Sequence, residues 1–329
     1  MSLRAMIVAL GFVFPACLSL AQTPPVLRLE EEIPLLNVEG RIDHLSVDLE
    51  GQRVFIAALG NNSVEVVDVP HGQRIAEIKA LKEPQGVLYV QANQTLYVAN
   101  GADGTVRSFD ARTMQPVKTV VLGDDADNLR FDAKQQLLLA GYGRGAIATL
   151  GLDLASKGDV KLSAHPESFQ LSADGQRLFV NLPRRYSVAV VDRGKQTVSA
   201  TWEMLSAHAN FPMALDEEHH RLVLVCHMPA KLLILDTNTG GFVARVSTVG
   251  NADDLFYDPS RDRLYVIGGE GYVDVLHVSD KTKLTSIAHV ATARGARTGL
   301  FVPEWNKLLV AAPHRGANPA RLLVYTLTP

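Results

Sequence analysis

"DHLSVDLEGQRVFIA", Asp43 to Ala57, alternates apolar and polar residues, breaks at the turn cluster Leu49-Glu50-Gly51-Gln52, and then turns apolar again. Alternation on either side of a polar turn reads as two short antiparallel strands. The same form returns six times: "QGVLYVQANQTLYVA" from Gln85, "DNLRFDAKQQLLLAG" from Asp127, "ESFQLSADGQRLFVN" from Glu167, "FPMALDEEHHRLVLV" from Phe211, "DDLFYDPSRDRLYVI" from Asp253 and "RTGLFVPEWNKLLVA" from Arg297. Successive starts lie 42, 42, 40, 44, 42 and 44 residues apart. Each unit also carries a later apolar strand, such as "SVEVVDV" at 63–69 or "KLLILDT" at 231–237, and no helical pattern interrupts the series. Four short strands per ~42 residues, repeated radially, predict a β-propeller.

The expected fold is therefore all-β: a seven-bladed β-propeller of four-stranded antiparallel blades filling residues 22–329. The seventh unit ends at Pro329 without an outer strand. "VLRLEEEIPLL", 26–36, stands before the first unit and is expected to pair into the last blade and close the ring, which removes open sheet edges.

These repeats resemble the YVTN-type (YncE-like) seven-bladed propellers of exported bacterial proteins. "LYVAN" at 96–100, "LSADGQRLFVN" at 171–181 and "ILDTNTG" at 234–240 carry the resemblance, which covers nearly all of residues 22–329. It implies a secreted or periplasmic propeller. Its motifs encode turns and strand cores, so it specifies fold more than function, and family members bind varied ligands. Unit three departs from the pattern, with Gly151 where Asp68, Asp110, Asp192 and Asp236 stand elsewhere. Unit seven has a longer loop, "PHRGANPA" at 313–320.

Residues 1–21 read as a cleaved signal peptide: an early Arg4, an apolar core from Ala5 to Phe14, and the small-residue site Ser19-Leu20-Ala21 before Gln22. Lipid attachment through Cys17 is the lesser alternative, because Phe14-Pro15-Ala16 is a poor context for it. The only other cysteine is Cys226, so no disulfide within the mature chain is expected, and without CxxCH there is no covalent haem. No later segment has the ~18 uncharged apolar residues of a membrane span. A net charge of −3 and 6% aromatic residues argue against nucleic acid, whose binding takes a continuous basic track with stacking rings. The chain is expected to be a monomer.

Propeller topology places the start of each unit and each second-to-third-strand loop on one rim. Around the axis this gives Asp43-His44, Gln85-Gly86, Asp127-Asn128, Glu167-Ser168, Phe211-Pro212, Asp253-Asp254 and Arg297-Thr298. Crowded carboxylates either hold a proton or a cation. Asp127, Glu167 and Asp253 are the candidate metal ligands, for Ca²⁺ or a similar divalent ion, with His44 a possible nitrogen donor. A wet channel lined with polar residues explains Asp43-His44 without any ligand. Alternation would send these two side chains to opposite sides, so that only one faces the axis. Further out, Arg184, His227 and His314 make a partly basic surround.

Two functions follow. The first is a binding module that holds a small polar molecule, an ion or a protein partner at the axial mouth. The second is a metal-assisted, lactonase-like hydrolase, with Asp127, Asn128, Glu167, Asp253 and Asp254 about the metal and Asp43 or His44 as general base. A quinone-dependent oxidoreductase gains nothing from two tryptophans. Cys226 reads as a buried structural thiol, and His219-His220 as a solvated turn on the opposite face.

Overall fold

A computed structural model describes residues 25–204, 206–280 and 283–328. The leader reading and the Cys17 alternative lie outside these residues. Seven four-stranded antiparallel sheets form a ring. Blade 1 runs through Leu45–Asp48, Arg53–Ala58, Ser63–Asp68 and Gln73–Ile78, from axis to rim. Blades 2 to 6 repeat the order, with innermost strands Pro84–Val90, Ala126–Asp132, Phe169–Leu171, His208–Asp216 and Ala252–Asp258. Blade 7 has Thr298–Val302 innermost, then Lys307–Ala312 and Arg321–Leu327. Its outer strand is the N-terminal Leu27–Pro34, paired antiparallel from Leu27 with Leu327 to Pro34 with Arg321. The expected closure is thus present. No helix among the described residues is long and apolar enough to cross a membrane.

The alternation seen in the sequence becomes burial between blades. The buried apolar residues form seven clusters, each spanning one blade–blade interface: Phe55 and Val66 of blade 1 meet Val87 and Val98 of blade 2, for example. Each fully buried Leu, Val or Phe contributes about 1.5–3 kcal/mol relative to exposure. Arginines at the start of second strands add polar staples to the next blade. Arg53 Nη1 donates to the Ala111 carbonyl at 2.9 Å, Arg177 Nη1 to Thr237 at 2.8 Å, and Arg263 Nη1 to Thr328 at 2.6 Å.

Turn chemistry sets the spacing. Asp110 Oδ1 accepts from the amides of Arg112 and Thr113, and Asp236 Oδ1 from those of Asn238 and Thr239, the turn an Asp side chain favours. In blade 3 Gly151 cannot do this. There Asp153, two residues on, accepts from Ala155 at 3.0 Å, so the departure is absorbed locally.

Candidate functional site at the axial mouth

Six of the seven innermost strands, those of blades 1 to 6, begin with an irregularity that decides where side chains point. In blade 1 the Asp43 amide donates to the Ala57 carbonyl at 2.7 Å, while the Ala57 amide donates to the His44 carbonyl at 3.0 Å. Two residues therefore oppose one, which is a β-bulge. Blade 4 repeats it, with Glu167 and Ser168 both opposite Asn181. In blades 2, 3, 5 and 6 the register shifts at the same place, between Pro84 and Val87, Ala126 and Leu129, Asn210 and Met213, and Ala252 and Asp254. A bulge re-aims successive side chains. This corrects the expectation that only one of Asp43 and His44 faces the axis: both line the mouth, and His44 also lines the channel beneath it.

The mouth is a cavity of about 230 Å³. Of the residues singled out from the sequence, Asp43, His44, Gln85, Asp127, Asn128, Glu167, Arg184, His227, Asp253 and Arg297 line it. Arg184 and His227 thus belong to the mouth wall rather than to a surround. His227 stacks flat on Phe211 at 4.3 Å, and its Nε2 donates to the Ala252 carbonyl at 2.7 Å. Asp254 lies one level down, beside Arg130 in the channel, where it accepts from the Gly299 amide at 2.8 Å. His314 lies outside the mouth, in a neighbouring side cavity.

Arg41, Asp125, His165 and Asn251, outside the repeated stretches, also line the mouth. Each stands two residues before its unit's start. Glu83, Asp125, Ala209, Asn251 and Gly295, all at this position, have positive φ. The chain therefore enters these innermost strands through a left-handed kink, a conformation uncommon outside Gly, Asn and Asp. Extending the repeat alignment two residues upstream would have found these positions; the kink itself has no side-chain signature.

The mouth is electrically divided. On one side Asp253 is held by Arg297 Nε at 2.7 Å and by Arg41 at 3.5 Å, and Arg41 also pairs with Asp43 at 2.8 Å. Asp253, a candidate metal ligand, is therefore occupied by guanidiniums. On the other side Asp127, His165 and Glu167 bring one ligand atom each to within 4.8 Å of one another. His165 Nδ1 lies 2.6 Å from the Gly143 carbonyl, which can only accept, so Nδ1 carries a proton and Nε2 is turned toward Asp127, 3.8 Å away. The Glu167 carboxylate makes no hydrogen bond or ion pair among the described residues. Burial, reinforced by Asp127, pushes its carboxyl up to about 8. Burial depresses His165, but its contacts with Asp127, Gly143 and Asp125 outweigh that and raise it to about 9. Burial likewise raises Asp43 to about 6 against the pull of His44 and Arg41. Desolvation depresses His44, which is half-buried, but Asp254 at 3.3 Å outweighs it and raises the imidazole to about 10.

No protein-family model matches the chain, and no curated protein matches it. Among solved structures it is similar to Kuenenia stuttgartiensis hydrazine synthase, at 17% identity and TM-score 0.72 over 84% of this chain and 94% of that one. It is also similar to a chain of the mitotic checkpoint complex, at 15% identity and TM-score 0.77 over 99% of this chain and 100% of that one. At such identities the likeness concerns the propeller fold alone, and function has to be argued from the site.

The remaining candidates are quiet. Cys226 is fully buried, and burial pushes its thiol up to about 12. His219 turns back onto Asp216 at 3.1 Å.

Proposed function

We propose that the protein is an exported binding module that holds a divalent cation at Asp127, His165 and Glu167 and, with it, a small polar ligand in the axial mouth. One observation carries this reading. His165 is fixed through Nδ1 by the Gly143 carbonyl, which leaves Nε2 turned toward Asp127 in a polar cavity where Glu167 brings a third ligand atom within 4.8 Å. Metal-bound histidines are oriented in this way by their other ring nitrogen. One nitrogen and two carboxylates suit Zn²⁺ or Mn²⁺ better than Ca²⁺, which prefers oxygen alone. Without a cation, Glu167 and His165 hold protons near neutrality, and binding would displace them. The leader-like N-terminus and the likeness of the repeats to YVTN-type propellers support export.

The test is elemental analysis of protein purified without chelator, followed by melting curves with Zn²⁺, Mn²⁺ and Ca²⁺. About one equivalent of a transition-type ion is expected, with a raised melting temperature that disappears in His165→Ala and Glu167→Gln. Protein that carries no metal and melts identically in all three salts would rule the reading out.

A metal-assisted hydrolase is the second reading, favoured by the count of ligands. Three protein groups leave coordination positions open toward the mouth, as catalytic sites do. It requires metal-dependent turnover of esters or lactones that His165→Ala abolishes.

A further inference from the structure

Beside the mouth lies a second cavity, of about 390 Å³, between blades 6, 7 and 1. Arg41, Arg297 and Arg315 line it, with Asn251, Gly295 and His314, and no acidic residue does. Arg41, Asn251 and Arg297 also line the mouth, so the two spaces share a wall. The acids that balance Arg41 and Arg297, Asp43 and Asp253, line the mouth rather than this cavity. Arg315 makes no ion pair or side-chain hydrogen bond among the described residues.

The long loop of blade 7 is built to hold Arg315 in place. Arg315 and Asn318 form an antiparallel bridge, with amide-to-carbonyl bonds of 2.9 and 3.1 Å, and Gly316 makes the turn at φ +60°. His314 clamps the loop: Nδ1 meets Glu39 at 2.6 Å and Nε2 the Gly316 carbonyl at 2.9 Å. Gly295, at φ +87°, gives its amide to the Gly269 carbonyl at 2.8 Å. A Cβ on it would stand 2.8 Å from Arg315 Nε, so the glycine leaves room for the guanidinium to lie against the backbone.

We propose that this side cavity is an oxyanion site that takes the phosphate or carboxylate group of a small ligand. Three guanidiniums, Arg41 from blade 1 and Arg297 and Arg315 from blade 7, surround a space with no acid in its wall. Their planar donor forks match the oxygens of such groups, and an anion here supplies the counter-charge that Arg315 lacks. The site shares no residue with Asp127, His165 and Glu167, and so stands or falls apart from the cation reading. A ligand anchored here would reach into the mouth past Arg41 and Arg297.

The experiment is thermal and calorimetric titration with inorganic phosphate and, separately, succinate, each against sodium chloride at matched ionic strength. At least one oxyanion should bind saturably and raise the melting temperature beyond the chloride control, and the two arms distinguish a phosphate from a carboxylate preference. Arg315→Ala should weaken that binding about tenfold or more, the loss of one charge-assisted contact. Its melting in chloride alone should match the parent, because Arg315 is exposed. Binding should persist in Glu167→Gln. Oxyanions that act no differently from chloride, binding indifferent to Arg315→Ala, or binding lost in Glu167→Gln would each overturn the proposal.

Discussion

Asp127 and His165 face one another across the boundary between blades 3 and 4, with a carboxylate oxygen 3.8 Å from Nε2. Neither blade alone contains the pair. Each residue reaches the axis from the entry to its own innermost strand, so the two meet only when neighbouring blades pack. His165→Ala should abolish cation-induced stabilisation and leave the melting temperature without cation within a few degrees of the parent. Unfolding of the variant in the absence of any cation would instead give His165 a structural role.

Stability should respond to pH through Glu167. Its carboxyl is raised from 4.5 to about 8 in the folded state, so between those values the folded chain holds a proton that the unfolded chain has released. Stability from this group is complete below about 4.5 and is lost as pH rises through about 8. His165 and His44, raised from 6.5 to about 9 and about 10, act in the same direction at higher pH. Urea denaturation in chelator at pH 5 and pH 8.5 should show the parent less stable at the higher pH and Glu167→Gln with a shallower decline. Equal declines would remove Glu167 as the cause.

Glu65 is fully buried in blade 1, where it accepts from Ser63 Oγ at 2.5 Å and from Arg74 at 2.7 Å. Arg74→Met would strand this carboxylate and should cost about 3–5 kcal/mol, the penalty for breaking a buried pair from one side. Replacing both partners, as Arg74→Met with Glu65→Leu, should cost less than the single change. A double-mutant cycle by denaturant unfolding reads this directly, and a double variant less stable than Arg74→Met would refute it.

Cys226 lies inside the interface of blades 4 and 5 with its thiol pushed up to about 12. Alkylating reagents act on thiolates. Iodoacetamide at pH 8 should therefore leave the native protein unlabelled and label it fully in denaturant. Rapid labelling of native protein would mean that this interface opens readily.

The ring was legible because seven copies of one alternation, each closed by its own polar turn, leave few architectures open. Even the missing strand of blade 7 could be located from "VLRLEEEIPLL". The site was legible in part, for two physical reasons. Side-chain alternation assumes an unbroken strand, and the bulges opposite Ala57 and Asn181 break it where the residues of interest stand. Charge balance is not local either. Asp253 reads as a free carboxylate until Arg41, which lies in another blade, is seen beside it. His165 was missed because its importance comes from the Gly143 carbonyl at its back, a contact that no spacing announces.

Leu27 pairs with Leu327, so the outer strand of blade 7 waits for a partner made 300 residues later. Such a contact comes at the far end of loop-closure entropy and is slow to form. Until it does, blades 1 and 7 each lack a neighbour, and the apolar side chains of their shared interface, among them Ile33, Leu35 and Val54, face solvent. The growing chain therefore stays an open arc with two sticky ends at least until residues 321–327 have been made, and its yield in a cell should depend on how well that interval is chaperoned.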